Sequence, residues 1–259
     1  MLDAVAAEWW KLRSVRSTYV IVAVAAGFAL LVVLLAVQQA HVWDGLDPAR
    51  RARFFLRPLQ ELGGWVAQLC LGVLGVLAVT SEYRTGMVRT SLVAVPSRPR
   101  FLAAKAVVVA LTGLAVGEAV TIGCFLGARL AAGGRPFPDQ RASVWHDLPG
   151  FAVSGVAVAV FALLGLALGV LLRSAAGAIV AVVVLWHVVP LLVHHLPQPW
   201  NGRLGSVMLS GLPTEIAGWS AGHSIYGDLL SPPAAAAVLL AYALVPLAFA
   251  GLVLSHRDA

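Results

Sequence analysis

The sequence is short of charge: only 12% of its 259 residues are Asp, Glu, Lys or Arg, while 60% are hydrophobic. A water-soluble surface of ordinary polarity cannot be assembled from that composition, so most of the chain must be solvated by lipid. Cysteine is scarce as well. Cys70 and Cys124 both lie in apolar segments, which argues against a disulfide framework or a zinc site and reads as small packing residues. Of the 18 basic residues only Lys11 and Lys105 are lysines. Neither follows a glycine, so there is no Gly-x-x-x-x-Gly-Lys-Ser/Thr loop to cradle nucleotide phosphates. Gly-x-Ser-x-Gly, His-Glu-x-x-His and paired-acid motifs are missing too, which argues against an intramembrane protease. The formal charge is +6, but the arginines are scattered between apolar runs instead of forming one basic face, so nucleic acid is not an expected partner. Arginine in place of lysine, with abundant Ala, Val, Leu and Gly, points to a GC-rich bacterial genome.

Long apolar runs are what the chain has in quantity. Six reach the roughly 20 residues that cross a bilayer core, each with at most one acidic or basic residue: Thr18 to Val37, Leu62 to Val79, Ala106 to Ala128, Phe151 to Leu172, Ala175 to Leu196 and Ala234 to Leu254. In lipid the backbone must satisfy its own hydrogen bonds, and the alternation of a β-barrel is absent. The expected fold is therefore all-α integral membrane, six transmembrane helices in a single domain, residues 1–259. The first run is too long for a signal-peptide core and is expected to remain as a span. Only Arg173 and Ser174 separate the fourth and fifth spans, which predicts a tight hairpin.

With both termini cytoplasmic, the inner pieces hold ten Lys or Arg in 50 residues against eight in 83 outside. The positive-inside rule favours that orientation, although Arg50, Arg51, Arg53 and Arg57 cluster in the first exterior loop and oppose it. Residues 3–16 read as a helix lying in the membrane surface, capped by Asp3, with Trp9, Trp10, Lys11 and Arg13 as interfacial anchors. The pairs Gly113/Gly117, Gly123/Gly127 and Gly165/Gly169 have the spacing that lets helices approach, predicting close packing of the third and fourth spans. Pro190 and Pro246 are expected to kink the last two spans. Between Pro197 and Pro233, the semi-apolar pieces Leu204 to Leu212 and Ile216 to Ala221 are too short to cross and are expected to form a re-entrant exterior hairpin.

The inner loop Thr80 to Lys105 carries the most specific pattern. Thr80-Ser81-Glu82 reads as a capping group, Tyr83, Met87, Val88 and Leu92 as an apolar stripe, and Pro96 and Pro99 as stops. A short amphipathic helix bearing Arg84 and Arg89 is predicted, able to lie on headgroups or to dock into a groove on a soluble partner. Two patches, Glu8-Trp9-Trp10-Lys11-Leu12-Arg13-Ser14 and Ser81 to Thr90 with Pro96, Arg98 and Lys105, resemble the permease subunits of bacterial type-2 ABC exporters. The resemblance implies an interfacial connecting helix at the start and a coupling helix between spans two and three. It further implies a separate nucleotide-binding ATPase subunit carrying ATP and magnesium, a second permease copy forming a homo- or heterodimer, and a place in the bacterial cytoplasmic membrane. No cofactor is expected on this chain. Glu82, Tyr83, Arg84, Met87 and Arg89 are then the expected contacts with the ATPase.

Glu118 is the only acidic or basic residue at mid-membrane depth, where a carboxylate is costly and faces protein or water; His187 lies at similar depth and is the partner to test. His187 and His194 are about two turns, roughly 10 Å, apart, and His195 points elsewhere, so no metal site is expected. The competing reading, a secondary transporter or channel working alone, would favour more intramembrane polar residues and inverted repeats.

Overall fold

The computed structural model describes residues 1–51, 59–135, 144–217 and 230–256. The described residues form helices joined by short turns, with no strand among them. They run α1 Leu2–Ser14, α2 Arg16–Asp44, α3 Pro48–Arg51, α4 Leu59–Thr85, α5 Met87–Ala94 and α6 Arg98–Ala132, and then α7 Val144–Leu172, α8 Ala175–Val183, α9 Val189–His194, α10 Trp200–Gly205, α11 Leu212–Ile216 and α12 Pro232–His256. Six stretches are long and apolar enough to cross a membrane, matching the six expected spans. Most outrun the hydrocarbon: α6 begins at Arg98, with Pro99 in the first turn where its missing N–H costs nothing.

The fourth span forms the centre. In the most apolar stretch of α7, 67% of residues are buried, against 17% in α2, and α7 packs on α4, α6, α8, α11 and α12. Small residues set these approaches. Gly113 lies against Ala159, Gly117 against Val158, and Gly165 against the backbone of Gly72. Gly72 and Gly75 on α4, three residues apart, escape the Gly-x-x-x-Gly pattern although their helix meets α7 most intimately. The Gly123/Gly127 pair is divided: Gly127 abuts Val33 of α2, while nothing stands within 4 Å of a side chain added at Gly123. A Cβ at Gly75 would collide with the Ala162 carbonyl, a backbone atom that cannot step aside. Gly75→Val is therefore expected to destabilise the bundle by about 1–3 kcal/mol or more, read as a lowered unfolding temperature in detergent. Gly123→Ala should leave that temperature unchanged.

The two prolines expected to kink their spans sit in different local structure. The fifth span is interrupted by a π-helical turn, Val184–Val188, just ahead of Pro190, whereas Pro246 lies inside an unbroken α12. After the fifth span, α10 and α11 are single short turns, and α11 packs on α7 and α12 with Leu212 fully buried. The rest of the second semi-apolar piece, from residue 218, lies outside the described residues.

The bundle ends identify two faces. On one, Arg98 at the start of α6 donates to the Leu254 and Ser255 carbonyls at the end of α12, at 2.8 and 3.2 Å, a cation meeting a helix C-terminus. On the other, Arg135 beyond α6 forms a two-pronged pair with Asp44 at the end of α2, at 2.6 and 2.9 Å. Two arginines that weighed against the expected orientation are engaged locally. Arg51 donates to the Trp43 and Asp44 carbonyls and stacks 4.4 Å over the Trp43 ring, and Arg50 pairs with Asp47 at 3.3 Å. Arg53 and Arg57 lie outside the described residues.

Candidate functional site

Both lysines of the chain converge on one point near the face that carries α1. Glu8 and Lys11 lie one turn apart on α1 and so point the same way. Helix α4 continues past the expected end of its span and brings Glu82 to the same level. Thr80 and Ser81 do not cap a new helix. Their hydroxyls donate back to the Val76 and Leu77 carbonyls at 2.9 and 2.7 Å, so the helix runs on through them to Thr85. Gly86, at φ +71°, makes the break, and the amphipathic helix α5 follows it; a residue without a Cβ takes that left-handed conformation at no cost.

Lys105, on α6, donates to Glu8 Oε2, to Glu82 Oε1 at 2.8 Å and to the Ala78 carbonyl at 3.1 Å. All three ammonium donors are used. Lys11 donates to Glu8 Oε1 at 2.5 Å, to Glu82 Oε1 at 3.2 Å and to Ser91 Oγ at 2.9 Å. Its burial works against the charged form, but the Glu8 hydrogen bond and the nearby Glu82 carboxylate outweigh it and hold the Lys11 pKa above its ordinary value. Phe101 closes the cluster, its ring centroid 5.2 Å from the Lys105 nitrogen and 5.7 Å from that of Lys11. Two cations and two anions cancel, and the side chains of Lys105, Glu8 and Glu82 are only 4–7% exposed. Through Ser91 the network also holds α5, so α1, α4, α5 and α6 are joined at one point. Within the cluster Glu82 Oε2 has no hydrogen-bond partner, as is true elsewhere of Gln39 Oε1 and Glu215 Oε2.

The residues expected to meet a partner divide into two sets. Glu82 points inward, into the network. Tyr83 is half-buried beneath Arg173, whose guanidinium stands 5.3 Å from its ring; Arg173 forms the turn between α7 and α8 at φ +52°. Arg84, Met87 and Arg89 are exposed. On α1, Asp3 occupies the first turn without acting as a side-chain cap. Trp9 and Trp10 are exposed with the Arg13 guanidinium 5.9 and 5.6 Å from their rings, while Lys11 turns into the cluster. Glu118 is half-buried, its carboxyl lying on Gly155 of α7. His187 is exposed on the π-helical turn, and no hydrogen bond or ion pair joins it to Glu118 among the described residues. Ser91 and Phe101 were not singled out from sequence; a serine and an aromatic ring near a loop carry no signal of their own.

The described residues thus form a six-span bundle with a buried ionic cluster at one end and an exposed arginine on the short helix beside it. A family model described as ABC-2 family transporter protein matches residues 4–189, from the start of α1 to the start of α9. The chain belongs to that family, and is thus the membrane-spanning part of an ABC transporter. No curated protein matches the sequence.

Proposed function

We propose that the chain is the permease subunit of an ATP-driven exporter in a bacterial cytoplasmic membrane, with both termini cytoplasmic and with a second permease and separate ATPase subunits as partners. ATP and magnesium belong to those ATPase subunits. The observation that carries this reading is the ionic cluster: Lys11 holds Ser91 of α5, while the same carboxylates hold Lys105 of α6 and issue from α1 and α4. Force applied to α5 is thereby delivered to two spans and to the interfacial helix at once. The exposed side chains of that region, Arg84, Met87 and Arg89, offer a partner guanidinium groups around an apolar contact, and the acid beside them is spent internally.

The test is reconstitution of the permease with the ATPase encoded beside it. Cargo movement and stimulated hydrolysis should both require the pair, and cargo movement by the permease alone would favour the secondary-transporter reading. Orientation has its own check. A thiol introduced as Arg84→Cys, in a chain with Cys70 and Cys124 changed to Ala, should react with an impermeant maleimide from the cytoplasmic side only.

A further inference from the structure

The third span carries an exposed apolar face with a single acid on it. On α6, Leu111, Ala115, Ile122 and Leu126 recur at the spacing of one helix face, and all four are exposed. Glu118 sits at the edge of that stripe with its carboxyl turned toward α7, in the space that Gly155 leaves open; a Cβ at Gly155 would collide with Glu118 Oε1. Ala152 and Val156, which flank Gly155 on α7, are exposed as well. Glu118 itself is only half-buried, and neither of its oxygens is closed off in the way that Glu82 Oε2 is. Its carboxyl can therefore be reached from outside the bundle.

A carboxylate at mid-membrane depth is costly without positive charge beside it, and the described residues supply none. No hydrogen bond or ion pair engages Glu118 among them. Lys105 and Arg129, the nearest basic residues along α6, are three turns or more away, about 16 Å at the least, and α7 carries no Lys or Arg. The hydroxyls close by in sequence are spent within their own helices: Thr121 donates to the Gly117 carbonyl at 2.9 Å and Ser154 to the Gly150 carbonyl at 2.8 Å. An occupant that answers this charge has to bring a positive charge to mid-depth, which a phospholipid headgroup held at the surface does not do. It also needs apolar groups around that charge, both to enter hydrocarbon and to lie against Leu111, Ile122 and Val156.

We infer that this face of α6 and α7 binds a lipophilic organic cation, one whose charge is wrapped in apolar groups, from within the membrane. The Glu118 carboxylate is its counter-ion, Gly155 gives the carboxyl its seat, and the exposed side chains of α6 and α7 receive the apolar groups. That such cations are also cargo rests on the permease reading above; the binding itself does not.

Equilibrium dialysis of radiolabelled tetraphenylphosphonium against the purified full chain in detergent, with protein-free micelles as the blank, tests the binding without any ATPase. Wild type should take up one cation per chain saturably, with dodecyltrimethylammonium competing and uncharged dodecanol not. Glu118→Gln, which keeps the shape and removes the charge, should weaken binding at least about tenfold, the modest end of what one ion pair in a low-dielectric setting supplies, with the unfolding temperature retained. Gly155→Ala should weaken it in the same direction by displacing a carboxyl that is still present. Absence of saturable uptake, or equal uptake by folded Glu118→Gln protein, would overturn the inference. So would a disulfide between two chains formed readily by Glu118→Cys in the background with Cys70 and Cys124 changed to Ala, which would show that a second copy covers this face. In proteoliposomes with the ATPase, tetraphenylphosphonium should raise hydrolysis by wild type and not by Glu118→Gln; saturable binding without that response would overturn the cargo role alone.

Discussion

Lys105→Met is expected to destabilise the folded protein by about 3–5 kcal/mol, because it leaves buried carboxylates without their main cation. Lys105 is the best-shielded member of the cluster, its side chain 4% exposed against 26% for Lys11. In the variant, Glu8 and Glu82 would face each other with only the more exposed ammonium between them. Thermal unfolding in detergent measures the loss. A double substitution, Glu8→Gln with Lys105→Met, should cost less than the sum of the two single changes, since removing both partners spares an orphaned charge. Equal and additive losses would mean that the four groups do not act as a unit. Lys105→Arg should not rescue fully: a planar fork cannot direct three donors to Glu8, Glu82 and the Ala78 carbonyl as an ammonium does.

Arg84→Glu combined with Arg89→Glu is expected to leave the unfolding temperature near that of the wild type and to weaken association with the ATPase subunit by about 30-fold. That factor corresponds to roughly 2 kcal/mol, the scale of an arginine contact at the centre of an interface. Both side chains point away from the bundle, so the fold has little to lose. Met87→Ala should weaken association in the same direction by removing the apolar contact between them. The readouts are co-purification and the ATPase rate in proteoliposomes. Unaltered association in the charge-reversed protein would show that α5 lies on headgroups instead.

Six spans were legible because lipid imposes a length and a composition on every crossing helix, and both survive in a single sequence. The end that carries α1 and α5 was legible in its residues and not in its arrangement. Glu8, Lys11, Glu82 and Lys105 all stood in the two patches that carried the family resemblance, yet no periodicity links position 8 to positions 82 and 105. Their meeting is a property of packed helices. Thr80 and Ser81 were misleading for a local reason: the same hydroxyls that cap a helix start can bond the preceding turn, and inside a continuing helix they do so. Gly86 was the truer punctuation. Depth along a span could be counted for Glu118 and His187, but rotation about the helix axis could not. A π-helical turn accommodates an extra residue and so changes that rotation, and Glu118 meets Gly155 of the neighbouring helix.

The ionic cluster has a practical corollary for anyone seeking this protein's neighbours. Because Lys105 is sealed in the bundle and Lys11 is mostly spent within it, the outer surface offers amine-reactive crosslinkers almost no lysine to capture. Proximity mapping by succinimidyl esters would return a blank around α5 even with a partner seated there, and arginine-directed dicarbonyls or engineered thiols are the reagents that can report it.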